Sequence, residues 1–178
     1  MLPSETKFSI ISEISSFLGD DSVAEFLQTK VWLKLDSGIW LVNSEQVNFL
    51  EAVNSDELTK SLKYAGIFIG KIRKNFGLSV ESLQYLKPFI KRYIIIKGKT
   101  LQKYLYGKTI TITASQKHLD NLEFQKIIVM TSEGDPVGIS HFTILETRKE
   151  NNEIIYSLKL EPITDLGMFL RKERSMFE

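Results

Sequence analysis

The 178-residue chain contains no cysteine. That excludes disulfides, Cys-ligated zinc, iron–sulfur clusters and thiol catalysis, and it fits an intracellular protein that needs no oxidising compartment. Histidine is almost as scarce. The two present, His118 in the polar stretch SQKHLDN and His141 in GISHF, have no flanking carboxylates spaced as a metal-ligand set. Ser115 and Ser140 have no nearby base in sequence, and there is no Gly-x-Ser-x-Gly elbow. The paired acids Asp20-Asp21 and Asp56-Glu57 sit at helix edges, where capping accounts for them. No residue is left on which an enzyme hypothesis could stand, so a non-catalytic protein without cofactor or metal is expected. No apolar run approaches the length of a membrane span. The N-terminus MLPSETKFSIISEISSFLGDD lacks a basic region followed by a continuous apolar one, so no signal peptide is expected.

One more absence decides a motif. Gly-Lys-Thr occurs twice in KGKTLQKYLYGKT (97–109), and Gly-Lys-Thr is how a nucleotide-binding P-loop ends. A P-loop also needs a glycine five residues before its Gly-Lys, so that successive backbone N–H groups can wrap the phosphates. Those positions hold Tyr93 and Gln102, which lack glycine's freedom at positive φ. The two lysines need another reading.

With 43% hydrophobic and 25% charged residues the chain reads as globular, with length for one ordinary domain or two small ones. A net charge of +1 conceals a strong asymmetry. Residues 60–117 hold 13 Lys/Arg and a single acid, Glu81, for a net +12, whereas residues 1–59 carry −7 and residues 118–178 carry −4. Such a segment points to a polyanionic partner. Folding could equally interleave acids and bases into a solvated mosaic, and the sequence leaves both readings open.

The pattern along the chain predicts an α+β protein in two parts. Ser4 is placed to cap a helix through Phe8, Ile11, Ile14, Phe17 and Leu18, with Gly19 as its stop. Residues 22–28 read as a second short helix. VWLKL and IWLVN flank Asp36-Ser37-Gly38, a hairpin signal. Ser44 and Asp56 open two further helical stretches, AGIFIGKI (65–72) reads as a strand, and Ser79 opens a helix with Val80, Leu83, Leu86 and Phe89 on one face. The boundary is expected near Arg92, giving parts 1–92 and 93–178. The second part reads as YIIIK, one or two turns of helix over 100–106, then TITIT (109–113), KIIVMT (126–131), VGISHFTIL (137–145) and EIIYSLKL (153–160). Turns fall at Gly134-Asp135-Pro136 and Asn151-Asn152, and a last helical turn starts near Thr164. The size suits a small closed β-barrel.

On a helix from Lys99 to Tyr106, Leu101, Tyr104 and Leu105 form the buried stripe, and Lys99, Lys103 and Tyr106 share the opposite face. Lys97 precedes the helix and Lys108 follows it. Four lysines and an aromatic on one ridge can grip phosphates and stack a base. The alternative is a helix that the lysines merely keep soluble, with Tyr106 tucked against the barrel.

Five segments occur in order: AGIFIGKIRK (65–74), LSVESLQYLKPFIKRYIIIK (78–97), YLYGK (104–108), VMTSEGDPVGISHF (129–142) and ITDLGMFLRKE (163–173). Together they resemble the nuclear-import-protein-seven family of large-subunit ribosome biogenesis factors. That resemblance implies an N-terminal α/β pre-PUA domain followed by a C-terminal PUA-type β-barrel. It extends over about the whole chain, and the first 59 residues match mainly by length and pattern. It further implies a non-catalytic RNA-binding factor in pre-rRNA processing and large-subunit assembly. Its expected partners are a U- or AU-rich single strand of the rRNA precursor and pre-ribosomal particles with their assembly proteins. Basic residues after the Asp-Leu-Gly element are implied as RNA contacts; here these are Arg171, Lys172 and Arg174. The missing cysteines and the Ile/Lys-rich composition look archaeal, so a cytoplasmic protein is expected, or a nucleolar one if the source were eukaryotic; a monomer is expected as well. The candidate RNA contacts are thus Lys97, Lys99, Lys103, Tyr106, Lys108, Arg171, Lys172 and Arg174. Two other readings stand beside this one: a protein–protein adaptor docking a basic partner through its acidic N-terminal half, and an accessory subunit of an RNA-modifying enzyme.

Overall fold

The computed structural model describes residues 1–43, 45, 47–48, 66–115, 125–150, 153–168 and 171. The chain forms two compact units, Met1–Phe89 and Ile90–Glu178.

The first unit opens with helix α1 (Ser4–Leu18), which buries Ile10, Ile11, Ile14 and Leu18 at helical spacing. Gly19 ends it in the left-handed region at φ 77°, its N–H returning to the Ser15 carbonyl at 2.9 Å. The start differs from expectation by one residue. Pro3 takes the N-cap and Ser4 is already helical, because the ring holds Pro3 at φ −59° and its carbonyl accepts the first bond, from Lys7 N at 2.9 Å. Asp20 Oδ1 accepts from the N–H and hydroxyl of Ser22, at 2.9 and 2.6 Å, at the start of α2 (Ser22–Gln28). Asp21 Oδ1 accepts from the Ser15 hydroxyl at 3.1 Å. Both carboxylates therefore serve the turn between the helices.

Strands β1 (Val31–Leu35), β2 (Gly38–Val42), β3 (Ile67–Ile72) and β4 (Phe76–Leu78) follow as an antiparallel sheet in that order. The β1–β2 hairpin turns at Asp36-Ser37, with Leu35 opposite Gly38. Strand β4 is too short to carry a readable alternation. Of the helices read from Ser44 and Asp56, only Glu45, Val47 and Asn48 are described, and they are helical. Helix α3 (Val80–Tyr85) is capped by Ser79, whose Oγ accepts from Ser82 N at 3.2 Å. Its stripe was expected to reach Phe89. The helix instead gives way to a 3-10 turn over Lys87–Phe89, since Pro88 has no N–H to donate and its ring would meet the carbonyl four residues back.

The second unit holds β5 (Tyr93–Ile95), α4 (Gly98–Leu105), β6 (Ile110–Ser115), β7 (Lys126–Met130), β8 (Pro136–Glu150) and β9 (Glu153–Asp165). The sheet order is β5-β7-β8-β9-β6, with β5 and β7 parallel and the other ladders antiparallel. Ile94 on one edge strand and Ile110 and Ala114 on the other join a single core with Tyr104, Val129, Val137, Phe142, Leu158 and Leu160. The sheet therefore curls until its two edges face one interior, and α4 joins those edges. Strands β8 and β9 run further than the apolar runs VGISHFTIL and EIIYSLKL indicate. Residues 146–150 are exposed and are held by the ladder to β9 rather than by burial. Strand β9 continues through Asp165, so the last helical turn begins later than Thr164, with Gly167 and Met168 helical.

Candidate nucleic-acid interface

Helix α4 has two unlike faces. Tyr104 is completely buried, and Leu101 and Leu105 pack beside it against the core. The Ser140 hydroxyl donates to Tyr104 Oη at 2.9 Å in the buried interior. Burial pushes the Tyr104 phenol well above its ordinary value, so it stays protonated. Gly138 lies beneath this ring. A Cβ there would run into Tyr104 Oη and would stand 2.7 Å from the Thr164 carbonyl. The close seat of α4 on the sheet thus requires glycine at position 138.

The other face carries the expected ridge. Lys97, Lys99, Lys103 and Lys108 are all exposed, and Tyr106 is 59% exposed, so it does not tuck against the barrel. Among the described residues none of these four lysines has a carboxylate partner, and α4 contains no acid. Lys99 and Lys103 stand one helical turn apart, about 6 Å along the axis. Among the described residues the ridge is therefore a line of cations without carboxylate partners, with an aromatic at its C-terminal end.

Arg171 is placed differently from the lysines. Its Nη1 and Nη2 donate to Asp165 Oδ1 and Oδ2 at 3.0 and 2.9 Å, and Nη1 also donates to the Leu105 carbonyl. Asp165 is only 2% exposed. The hydrogen bonds to Asp165 raise the guanidinium's already high pKa further. Arg171 thus meets α4 at Leu105, near its C-terminal end, and the helix separates that point from Lys97 by about 12 Å and from Lys99 by about 9 Å along the axis. Lys172 and Arg174 lie outside the described residues, as does His118.

His141 is exposed on β8, with Nδ1 3.3 Å from the Gln125 carbonyl. Ser140 is committed to Tyr104. Among the described residues there is no cluster that could hold a metal ion. The first Gly-Lys-Thr does follow a strand and open a helix, as in a P-loop. Only Ile96 and Lys97 separate β5 from α4, however, and two residues cannot form a phosphate cradle. The residues missed in the sequence are Gly138, Ser140 and Asp165, which join the expected Tyr104 in packing roles. All four belong to the quoted segments YLYGK, VMTSEGDPVGISHF and ITDLGMFLRKE, which thus build the seat of α4.

A small curled sheet with an exposed cationic helix face fits the class of small RNA-binding barrels. Residues 92–174 match the family described as the UPF0113 PUA domain. That segment is thus similar to a PUA domain, which is an RNA-binding module. No curated protein matches the chain.

Proposed function

We propose that the protein is a non-catalytic RNA-binding factor of large ribosomal subunit assembly that acts in pre-rRNA processing and works as a cytoplasmic monomer. The observation that carries this reading is the exposed lysine ridge on α4, without a carboxylate partner among the described residues, within the PUA-matching segment. Lys97, Lys99, Lys103 and Lys108 serve as phosphate donors, Tyr106 stacks a base, and Lys172 and Arg174 extend the grip. A single strand suits this ridge better than a duplex, because an exposed tyrosine can stack only on an unstacked base. U- or AU-rich segments of the rRNA precursor are the proposed target. The ordered segments that resemble the nuclear-import-protein-seven family support the ribosomal setting. The test is crosslinking of the protein to RNA in its own cells, followed by sequencing of the crosslinked sites. Sites concentrated in large-subunit rRNA precursor are expected. Sites confined to other RNAs would remove the ribosomal assignment and leave RNA binding standing.

The net charge of −7 on residues 1–59 favours a second reading, an adaptor that docks a basic protein. Co-purification with such a partner after nuclease treatment, together with no crosslinked RNA, would select it.

A further inference from the structure

We infer that Arg171 is a positioning residue: paired with Asp165, it latches the C-terminal end of α4 to the barrel and so sets where Lys103, Tyr106 and Lys108 stand. The last carbonyls of a helix have no partner within it. In α4 two of them are satisfied locally. Lys108 N donates to the Lys103 carbonyl at 3.1 Å and Gly107 N to the Tyr104 carbonyl at 2.8 Å, with Gly107 left-handed at φ 73°. That pair of bonds is a Schellman turn. The Leu105 carbonyl is left over, and Arg171 Nη1 donates to it. A Cβ on Gly107 would lie 3.0 Å from Cζ and 3.3 Å from Nε of Arg171, so the guanidinium rests directly on the turn. Behind it stands the buried carboxylate of Asp165, the last residue of β9, opposite Gly138 on β8. The chain of contacts therefore runs from sheet to Asp165, to Arg171, to the turn that bears Tyr106 and Lys108. The Asp165 charge cancels that of Arg171, which makes the arginine a poor extra attractor for a polyanion and a good strut.

The consequence for binding rests on the RNA reading above; the latch itself does not. Arg171→Lys keeps the charge and loses the planar fork, Asp165→Asn removes the anion, and the double variant removes the pair. In the free full-length protein, amide hydrogen exchange followed by NMR should speed up by about tenfold or more at Tyr106, Gly107 and Lys108 in each variant, with Ile128 on β7 unchanged. Both single variants should then weaken binding of an oligouridine by about fivefold with an unchanged salt slope, and the double variant should be no worse than either single. Unchanged exchange at the turn would overturn the latch whatever the RNA does, and so would equal acceleration at Ile128, which signals global loss of stability. Full affinity in Asp165→Asn, combined with a slope shallower by about 0.7 in Arg171→Ala, would make Arg171 a phosphate contact instead. Absence of any RNA binding by the wild-type protein would sink the function and leave the exchange result to decide the latch.

Discussion

Among the described residues Tyr104 is the largest fully buried side chain of the second unit, and the Ser140 hydroxyl donates to its Oη. Tyr104→Phe leaves the Ser140 hydroxyl without that partner and should cost about 1 kcal/mol near neutral pH. The pH dependence is more diagnostic. Burial raises the phenol above its ordinary value of 10.0, so the folded protein keeps a proton that the unfolded chain releases. The stabilisation is complete below about pH 10 and is lost as pH climbs towards the folded value, about 1.4 kcal/mol having gone by about pH 11. The difference in urea midpoint between wild type and Tyr104→Phe should therefore close, or change sign, between about pH 9 and about pH 11. Other tyrosines cancel in the difference. A gap that stays constant over this range would mean that the ring is not held dry.

At the scale of the element, α4 separates seat from ridge cleanly enough for each to be altered alone. Lys99→Ala with Lys103→Ala touches only exposed side chains, so the melting temperature should stay within a few degrees. If both lysines neutralise phosphates, the dependence of log K on log salt for a single strand should become shallower by roughly 1 to 1.5 units. An unchanged slope and affinity would make the ridge a solvated face. The same helix shows what a sequence discloses. Its two faces were legible because 100° per residue sorts Leu101, Tyr104 and Leu105 from Lys99, Lys103 and Tyr106. The stop at Gly19 and the cap at Ser79 were legible because they act on their own helix. The bonds that fix α4 to the barrel were not. Ser140 lies 36 residues from Tyr104, and Arg171 lies 66 from Leu105; no periodicity records a contact that only the completed fold creates. The resemblance consequently implied Arg171 as one more RNA contact, although its fork is turned towards a buried carboxylate.

At the scale of the whole molecule, the basic segment looks different once the units are known. The +12 of residues 60–117 is divided by the break between Phe89 and Ile90, with +5 before it and +7 after it. Within the first unit, Lys71, Arg73 and Lys74 are exposed around the β3–β4 turn. A run of charge in sequence is thus not one patch in space by virtue of being continuous, and the two parts can be tested apart. If the RNA site belongs to the PUA-matching segment, these three residues are solvated surface. The triple variant Lys71→Ala, Arg73→Ala, Lys74→Ala should then bind oligouridine with a salt slope within about 0.5 of wild type. If the strand also tracks over the first unit, three lost phosphate contacts should flatten the slope by about 2. Exposed charges at a hairpin turn contribute little stability, so both outcomes can be read on a folded protein. A fall near 2 would mean that the site extends beyond residues 92–174, and that α4 holds only one part of the strand.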